Sequence, residues 1–264
     1  MENKMKIKTI LLLFMASCTG FVFTGCEGLG RCIDGNEMVE TETRITGSFT
    51  AISSESFFDV FIIQDSVEQV VVEAESNLLP YIQTVVDGST LVLREQKHHC
   101  LDNNLPVRIT VRVKNLEKVH LDGSGYIQGN SEFDAATFEV DLSGSGNIDL
   151  DVTAQRAEVN ISGSGDIDLG AGASQIHARI SGSGNITLRG ETVNSDLEIS
   201  GSGDIKAYGL IQQSCFVRIS GSGNVYVFVD DYLDVTISGS GSVYYKGNPQ
   251  IEVSISGSGD VVHG

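Results

Sequence analysis

The sequence predicts an all-β protein built as a β-solenoid, a stack of short coils joined by parallel strand pairing. Gly-Ser-Gly occurs eight times between Gly123 and Gly259, seven of them within Ser-Gly-Ser-Gly, at intervals of 18 to 21 residues. A fixed period near 19 marks one short unit stacked on the next. Apolar and polar residues alternate on both sides of each turn, as half-buried strands require. Glycine is abundant (30 residues) while proline is scarce (3) and tryptophan absent. Interleaved with Val, Ile and Leu, that glycine argues for ordered strands and tight turns rather than a disordered tract.

Residues 1–25 read as a lipoprotein signal peptide. Lys4, Lys6 and Lys8 form a basic start, and an apolar stretch from Ile10 to Phe23 is short for a membrane span. Phe23-Thr24-Gly25-Cys26 is similar to a lipobox, which makes Cys26 the candidate lipidation site. Met15-Ala16-Ser17-Cys18 is the rival, but it would leave apolar Phe21-Val22-Phe23 at the start of the mature chain. Residues 26–44 are polar and mixed, and read as a tether.

Residues 45–118 form a non-repetitive, β-rich portion. Phe57–Ile63, Val67–Ala74, Val85–Leu93 and Val107–Val113 carry β-branched and aromatic residues, often alternating with polar ones. Asp87-Gly88 signals a turn, and Asn77–Ile82 is the one plausible helical turn. The repeat solenoid follows over 119–264. Strands such as Val159-Asn160-Ile161 and Leu197-Glu198-Ile199 lead into the turns, and strands such as Ile167/Leu169 and Val225/Val227 leave them. The period of two sends the aliphatics inward and the residue between them outward. The turn glycines are expected to serve left-handed dihedrals and close approach of coils. A left-handed Gly182 would make Gly182→Ala cost ~1–2 kcal/mol.

Two outward files test this register. Mid-strand positions read His120, Asp141, Asn160, Arg179, Glu198, Arg218, Thr236 and Ser254, which puts Glu198 between two arginines. The position after each turn reads Tyr126, Asn147, Asp166, Asn185, Asp204, Asn224, Ser242 and Asp260. No two carboxylates adjoin in that file, as stacked like charges would require.

The chemistry is sparse. A formal net charge of −18 and the lack of a basic stripe exclude nucleic acid as a partner. Calcium-binding nonapeptide repeats have half this period, and here Asn alternates with Asp, so turn-capping ladders are expected instead. Asp166, Asp168, Asp204 and Asp260 lack a paired acid or a basic partner in an evident cleft, and read as structural carboxylates. His98-His99-Cys100 has zinc-ligand chemistry but no second cluster at ligand spacing. The turn serines have no attendant histidine in the sequence pattern. No catalytic residue, metal or cofactor is expected. In an exported protein Cys32 and Cys100 are a candidate disulfide, and Cys215 is a candidate buried apolar residue. Tyr226, Phe228, Tyr232, Tyr244 and Tyr245 cluster near the C-terminal coils. They read as core and cap or as a contact surface, with Tyr226, Tyr232 and Tyr244 the candidate contact residues.

Taken together, several segments over residues 39–264 resemble the bacterial auto-transporter adhesin head domain, or GIN domain, family of exported lipoproteins. They are Thr43-Arg-Ile-Thr-Gly-Ser-Phe-Thr-Ala-Ile52, Asn77-Leu-Leu-Pro-Tyr-Ile82, the serial Ser-Gly-Ser-Gly-Asp/Asn-Ile/Val turns and Val243-Tyr-Tyr-Lys-Gly-Asn-Pro249. The resemblance implies a right-handed parallel β-helix whose N-terminal part forms irregular first coils or a cap. It carries over no catalytic residue. The resulting expectation is an outer-membrane lipoprotein, at the cell surface or on the periplasmic face. It would touch the membrane through its N-terminal lipid and act as a non-catalytic binding or adhesion module for a glycan or surface protein. The alternatives are a carbohydrate-active β-helix enzyme and a structural envelope protein without an external ligand.

Overall fold

A computed structural model describes residues 32–264; the predicted signal peptide and Cys26 lie outside the described residues. The first strands are β1 (Ile33–Asp34), β2 (Val39–Arg44), β3 (Ala51–Ser54), β4 (Asp59–Gln64) and β5 (Gln69–Glu75). A 3₁₀ turn at Leu79–Tyr81 precedes β6 (Ile82–Asp87), β7 (Thr90–Glu95), β8 (Leu101–Asp102), β9 (Arg108–Val113) and β10 (Lys118–Leu121). The long strands are β11 (Tyr126–Leu142), β12 (Asn147–Ile161), β13 (Asp166–Ile180), β14 (Ile186–Ile199), β15 (Ile205–Ile219) and β16 (Val225–Ile237). The last are β17 (Val243–Lys246), β18 (Gln250–Ile255) and β19 (Val261–His263). β1 pairs with β8, and the other seventeen strands share one sheet.

Strands β11 to β16 pair successively in parallel, each residue opposite its equivalent one rung away except at local bulges. Each is one strand of 13 to 17 residues. The two strands per rung expected from the alternation therefore run together between turns. The coil bends without leaving the ladder, and regular strand stops at the Gly-Ser-Gly turns, whose backbones still bond rung to rung, as from the Ser183 N–H to the Gly163 carbonyl at 3.0 Å. Inward files such as Val140, Val159, Ala178, Leu197, Val217 and Val235 are fully buried and form one continuous core. A coil buries its aliphatics only against its neighbours, so no rung is stable alone.

The turn glycines correct the dihedral expectation. Gly182 and its equivalents are not left-handed; within the repeats only Gly190 (φ 108°) and Gly247 (φ 96°) are. What Gly182 supplies is space, because a Cβ there would lie 1.9 Å from the carbonyl oxygen of Gly163. The same close approach recurs from turn to turn, so successive turn backbones rest directly on one another.

Beside this glycine file runs the Asn/Asp ladder. Asp166 Oδ1 accepts from the backbone N–H of Asn185 (2.9 Å) and from its Nδ2 (2.8 Å). Asn185 Oδ1 accepts from the Asp204 N–H, and Asp204 Oδ1 accepts from the Asn224 N–H. Each side chain thus caps the backbone of the next rung, which strand pairing alone would leave unsatisfied there.

Residues 45–118 continue the same sheet. β3 lies between β7 and β10, and β4 between β9 and β11, all in parallel. Antiparallel pairs complete this end: β2 with β5, β5 with β9, and the β6–β7 hairpin, whose Gly88 has φ 60°. The turn expected at Asp87-Gly88 and the helical turn expected at Asn77–Ile82 are both present.

The tether expected over 26–44 is corrected for its described part, because β1 and β2 are strands of the fold. Val39, Thr41 and Thr43 alternate with charged residues, and that period of two suits an edge strand on β5. Buried Glu75 fastens the segment before β2. Its carboxylate accepts from the backbone N–H groups of Glu37 (2.6 Å), Asn104 (2.9 Å) and Leu105 (3.3 Å). A disulfide joins Cys32 to Cys100 beside β1 and β8.

The opposite end is open. Ile251, Val253 and Ile255 stand on Leu233, Val235 and Ile237, yet Val253 is 49% and Ile255 43% exposed. Their equivalents one rung below are fully buried.

Candidate functional site

Parallel stacking turns each outward position into a file, so surface chemistry follows from the register. On the face that leads into the turns, one file reads Glu139, Glu158, His177, Asp196, Phe216, Asp234 and Glu252. Its neighbour toward the turns reads Asp141, Asn160, Arg179, Glu198, Arg218, Thr236 and Ser254. Arg179 pairs with Glu198 at 3.2 Å, as the register requires. Arg218 also lies opposite Glu198 in register, but its guanidinium reaches diagonally to Asp196 at 3.0 Å. The expected Arg–Glu–Arg sandwich is therefore half formed. These exposed pairs align and neutralise the face more than they stabilise it.

On the face that leaves the turns, Asp149 and Asp168 adjoin in one file, a placement that like charges oppose. Arg189 resolves it. Its Nε donates to Asp168 (2.7 Å), Nη1 to Asp151 (3.1 Å) and Nη2 to Asp149 (3.3 Å). Asp166 and Asp204 are committed to the capping ladder. Three of the carboxylates within this run thus already serve one guanidinium, and two more cap turns.

Further along the same face, the file of Asp168 continues through Thr187 and Lys206 to Tyr226, Tyr244 and Val262. The rings of Tyr226 and Tyr244 stack at 5.0 Å and 10°. Tyr208 meets Tyr226 edge-on at 5.7 Å, and Lys246 Nζ lies 4.4 Å over the Tyr208 ring. Burial raises the pKa values of Tyr226 and Tyr208, and the Asp204 carboxylate adds to it at Tyr226, so both remain protonated donors at neutral pH.

Of the three tyrosines singled out in the sequence, the structure brings Tyr226 and Tyr244 together and places Tyr232 elsewhere. Tyr232 sits on the face that leads into the turns, edge-on to Phe216 at 6.0 Å. Sequence reasoning missed Tyr208. The signal available was the 20-residue interval from Gly201 to Gly221, longer than the 18 residues that follow it. β15 takes up its extra residues as a bulge after Ala207, and that bulge carries Tyr208.

The reactive groups are occupied. The pKa of Cys215 is pushed up to about 12 by burial, so at neutral pH it is an inert thiol packed in the core. His99 rests on the Tyr81 ring at 4.8 Å, and Cys100 is disulfide-bonded. Among the described residues no group of three His, Cys, Asp or Glu side chains is arranged to hold a metal.

Ser195, His177 and Asp196 line one surface depression, a composition that suggests nucleophilic chemistry. Strand alternation separates them. Ser195 points inward, where its hydroxyl donates to Gln212 Oε1 and lies 3.2 Å from Cys215 Sγ, whereas His177 and Asp196 face outward. Without a base beside the hydroxyl there is no activated nucleophile.

A sequence profile described as "Putative auto-transporter adhesin, head GIN domain" matches residues 48–175 and 151–249. No curated protein matches the chain. Among crystal structures, the chain is 28% identical to a putative lipid binding protein of Parabacteroides distasonis ATCC 8503, with TM-score 0.84 over 89% of this chain and 100% of that one. A putative adhesin of Parabacteroides merdae ATCC 43184 is 23% identical, with TM-score 0.84 at the same coverage. A putative adhesin of P. distasonis is 24% identical, with TM-score 0.85, again over 89% and 100% of the two chains. The last two likenesses bear on the fold.

Proposed function

Since the chain belongs to the auto-transporter adhesin head GIN domain family, we propose that it is a non-catalytic binding module of the cell envelope. In this reading Cys26 carries the lipid that holds it to the outer membrane, and residues 45–118 and 119–264 together present the contact surface. The observation that carries the reading is the tyrosine file. Tyr208, Tyr226 and Tyr244 stand outward on a rigid β face, with Lys246 beside them. Tyrosine gives large amphipathic contact area at low entropic cost, and a strand scaffold holds it in place.

The rings are stacked on one another, so the file offers edges and phenol hydroxyls. That form suits a surface protein or the hydroxyl-rich flank of a glycan. The net charge of −18 opposes a strongly acidic partner at long range, while Lys206 and Lys246 at the file itself offer cationic donors to the contact. The lipid binding description of the P. distasonis relative suggests a lipid ligand as another reading. Here the interior files are filled by aliphatic side chains, so lipid contact is assigned to the anchor.

The test is a screen of the soluble 27–264 fragment against glycans and surface proteins. Binding is expected, and Tyr226→Ala with Tyr244→Ala should weaken it at least tenfold with the fold intact by circular dichroism. If every ligand found ignores the double variant, the tyrosine file is removed from the site, and no ligand at all would remove the adhesion reading. Lipid labelling of the full chain should vanish in Cys26→Ala. Labelling that persists would move the anchor to Cys18.

A further inference from the structure

On the opposite flank of the coil, around Phe216, we infer a second contact site that takes a neutral pyranose ring of a glycan. The inference rests on the reading of the solenoid as a binding module, but it concerns a different face from the tyrosine file. Phe216 is 36% exposed at the edge of a depression of about 370 Å³ whose lining also includes Gln175, His177, Asn194 and Asp196. That volume falls at the small end of the range for ligand sites.

The register explains why these groups converge. His177, Asp196 and Phe216 succeed one another in a single outward file, and Gln175 and Asn194 adjoin in the next file. Tyr232 meets Phe216 at an interplanar angle of 60°, so the two rings are not stacked in parallel, and Phe216 keeps 36% of its surface exposed. The tyrosine file differs here, because Tyr226 and Tyr244 cover each other's faces. A partly exposed aromatic ring with no parallel partner is what the apolar C–H face of a sugar ring packs against.

The polar groups fit the rim of such a ring. The side-chain amides of Gln175 and Asn194 form no hydrogen bond among the described residues, and each can both donate and accept. Asp196 is held in place by Arg218 (3.0 Å), with His177 Nδ1 3.7 Å from its other oxygen. It still has lone pairs for a sugar hydroxyl. Charge selects the class of sugar. Arg218 is engaged by Asp196, while Asp234 and Glu252, which follow Phe216 in the file, form no ion pair among the described residues. An acidic sugar or a phosphate would meet uncompensated negative charge, and a neutral ring would not.

The experiment titrates the 27–264 fragment with neutral oligosaccharides of two to six units, built from glucose, mannose, xylose or N-acetylglucosamine. It is read by saturation-transfer and chemical-shift NMR. At least one series is expected to bind with millimolar or better affinity and to perturb Gln175, Asn194 and Phe216. Phe216→Ala should weaken that binding at least tenfold, Phe216→Tyr should retain it, and the Tyr226→Ala/Tyr244→Ala pair should leave it within twofold. Failure of every neutral series, or binding unchanged in Phe216→Ala, overturns the site. A protein ligand found in the surface screen alongside a silent sugar titration would leave the tyrosine-file reading standing and remove only this one. Should Phe216→Ala unfold, Asn194→Leu on the same rim must show the loss, and retained binding in it counts against the site.

Discussion

From Tyr126 to Ile237 every strand pairs in parallel with an equivalent strand in the neighbouring rung, whereas β2, β5 and β6 near the N-terminus run antiparallel to partners of different sequence. The two regions share one core and one sheet, yet different things hold them. In the repeats, order comes from rungs that resemble one another: glycine over glycine, aliphatic over aliphatic, amide over carboxylate. At the N-terminal end no such equivalence exists, and closure rests on single groups. Glu75 gathers three backbone N–H groups, Arg44 donates to the carbonyls of Leu79 and Ile82, and one disulfide ties residue 32 to residue 100. The lesson is that a repeat is tolerant where files are interchangeable and intolerant where backbones touch. A cap depends on its individual residues.

The largest expected effect follows from backbone contact. Gly182→Ala places a methyl 1.9 Å from a main-chain oxygen, which no rotamer change can relieve. It should cost about 4 kcal/mol or more, or prevent folding. At Gly209 the nearest atom lies 3.5 Å from the added methyl, and Gly209→Ala should be neutral within about 0.5 kcal/mol. Urea melts of both variants check this. Equal effects would mean that the turn glycines are there for another reason.

The next contrast compares one file at two heights. Val235 is fully buried and Val253, its partner one rung on, is half exposed. Val235→Ala should cost about 2 kcal/mol, whereas Val253→Ala should cost under about 0.5 kcal/mol. A large loss at Val253 would mean that the open end is covered in solution.

At the cap the discriminating variable is pH. Burial pushes the pKa of Glu75 up, but hydrogen bonds from the backbone of Glu37, Leu105 and Asn104 and from the Asn104 side chain outweigh it, and the net shift is downward. A carboxylate with a lowered folded pKa contributes stability above its unfolded pKa of about 4.3, and that contribution is lost as pH falls through the folded value. The wild type should therefore lose stability on acidification below about pH 4.3, and Glu75→Gln should show a smaller slope there. Identical slopes would mean that Glu75 does not fasten the cap.

Much of this architecture was legible in the sequence because repetition states its own register. The interval of 19 residues placed Arg179 on Glu198, and the Asn/Asp alternation announced the ladder before any coordinate did. What stayed hidden depends on side-chain reach or non-equivalent partners. Nothing in a file said that Arg218 would choose the diagonal Asp196 over Glu198, or that Arg189 would collect three carboxylates. Residues 26–44 read as a tether, which missed β2 because that strand has few large apolar residues; its place is set by β5 and Glu75, far along the chain. The tyrosines were legible as a cluster but not as two faces, since the bulge in β15 moves Tyr208 beside Tyr226 while Tyr232 turns to the Phe216 side.

Every face described depends on neighbouring rungs lying parallel and in register, and engineered cross-linking tests that most directly. Glu198 and Arg218 are register partners, so their Cα atoms should stand ~4.8 Å apart, within disulfide range. Asp196 and Arg218 touch through side chains but are offset by two residues, ~8 Å between Cα atoms, beyond it. In-register stacking predicts that the Glu198→Cys/Arg218→Cys pair oxidises readily and the Asp196→Cys/Arg218→Cys pair does not. Cross-linking of the second pair in preference to the first would contradict it.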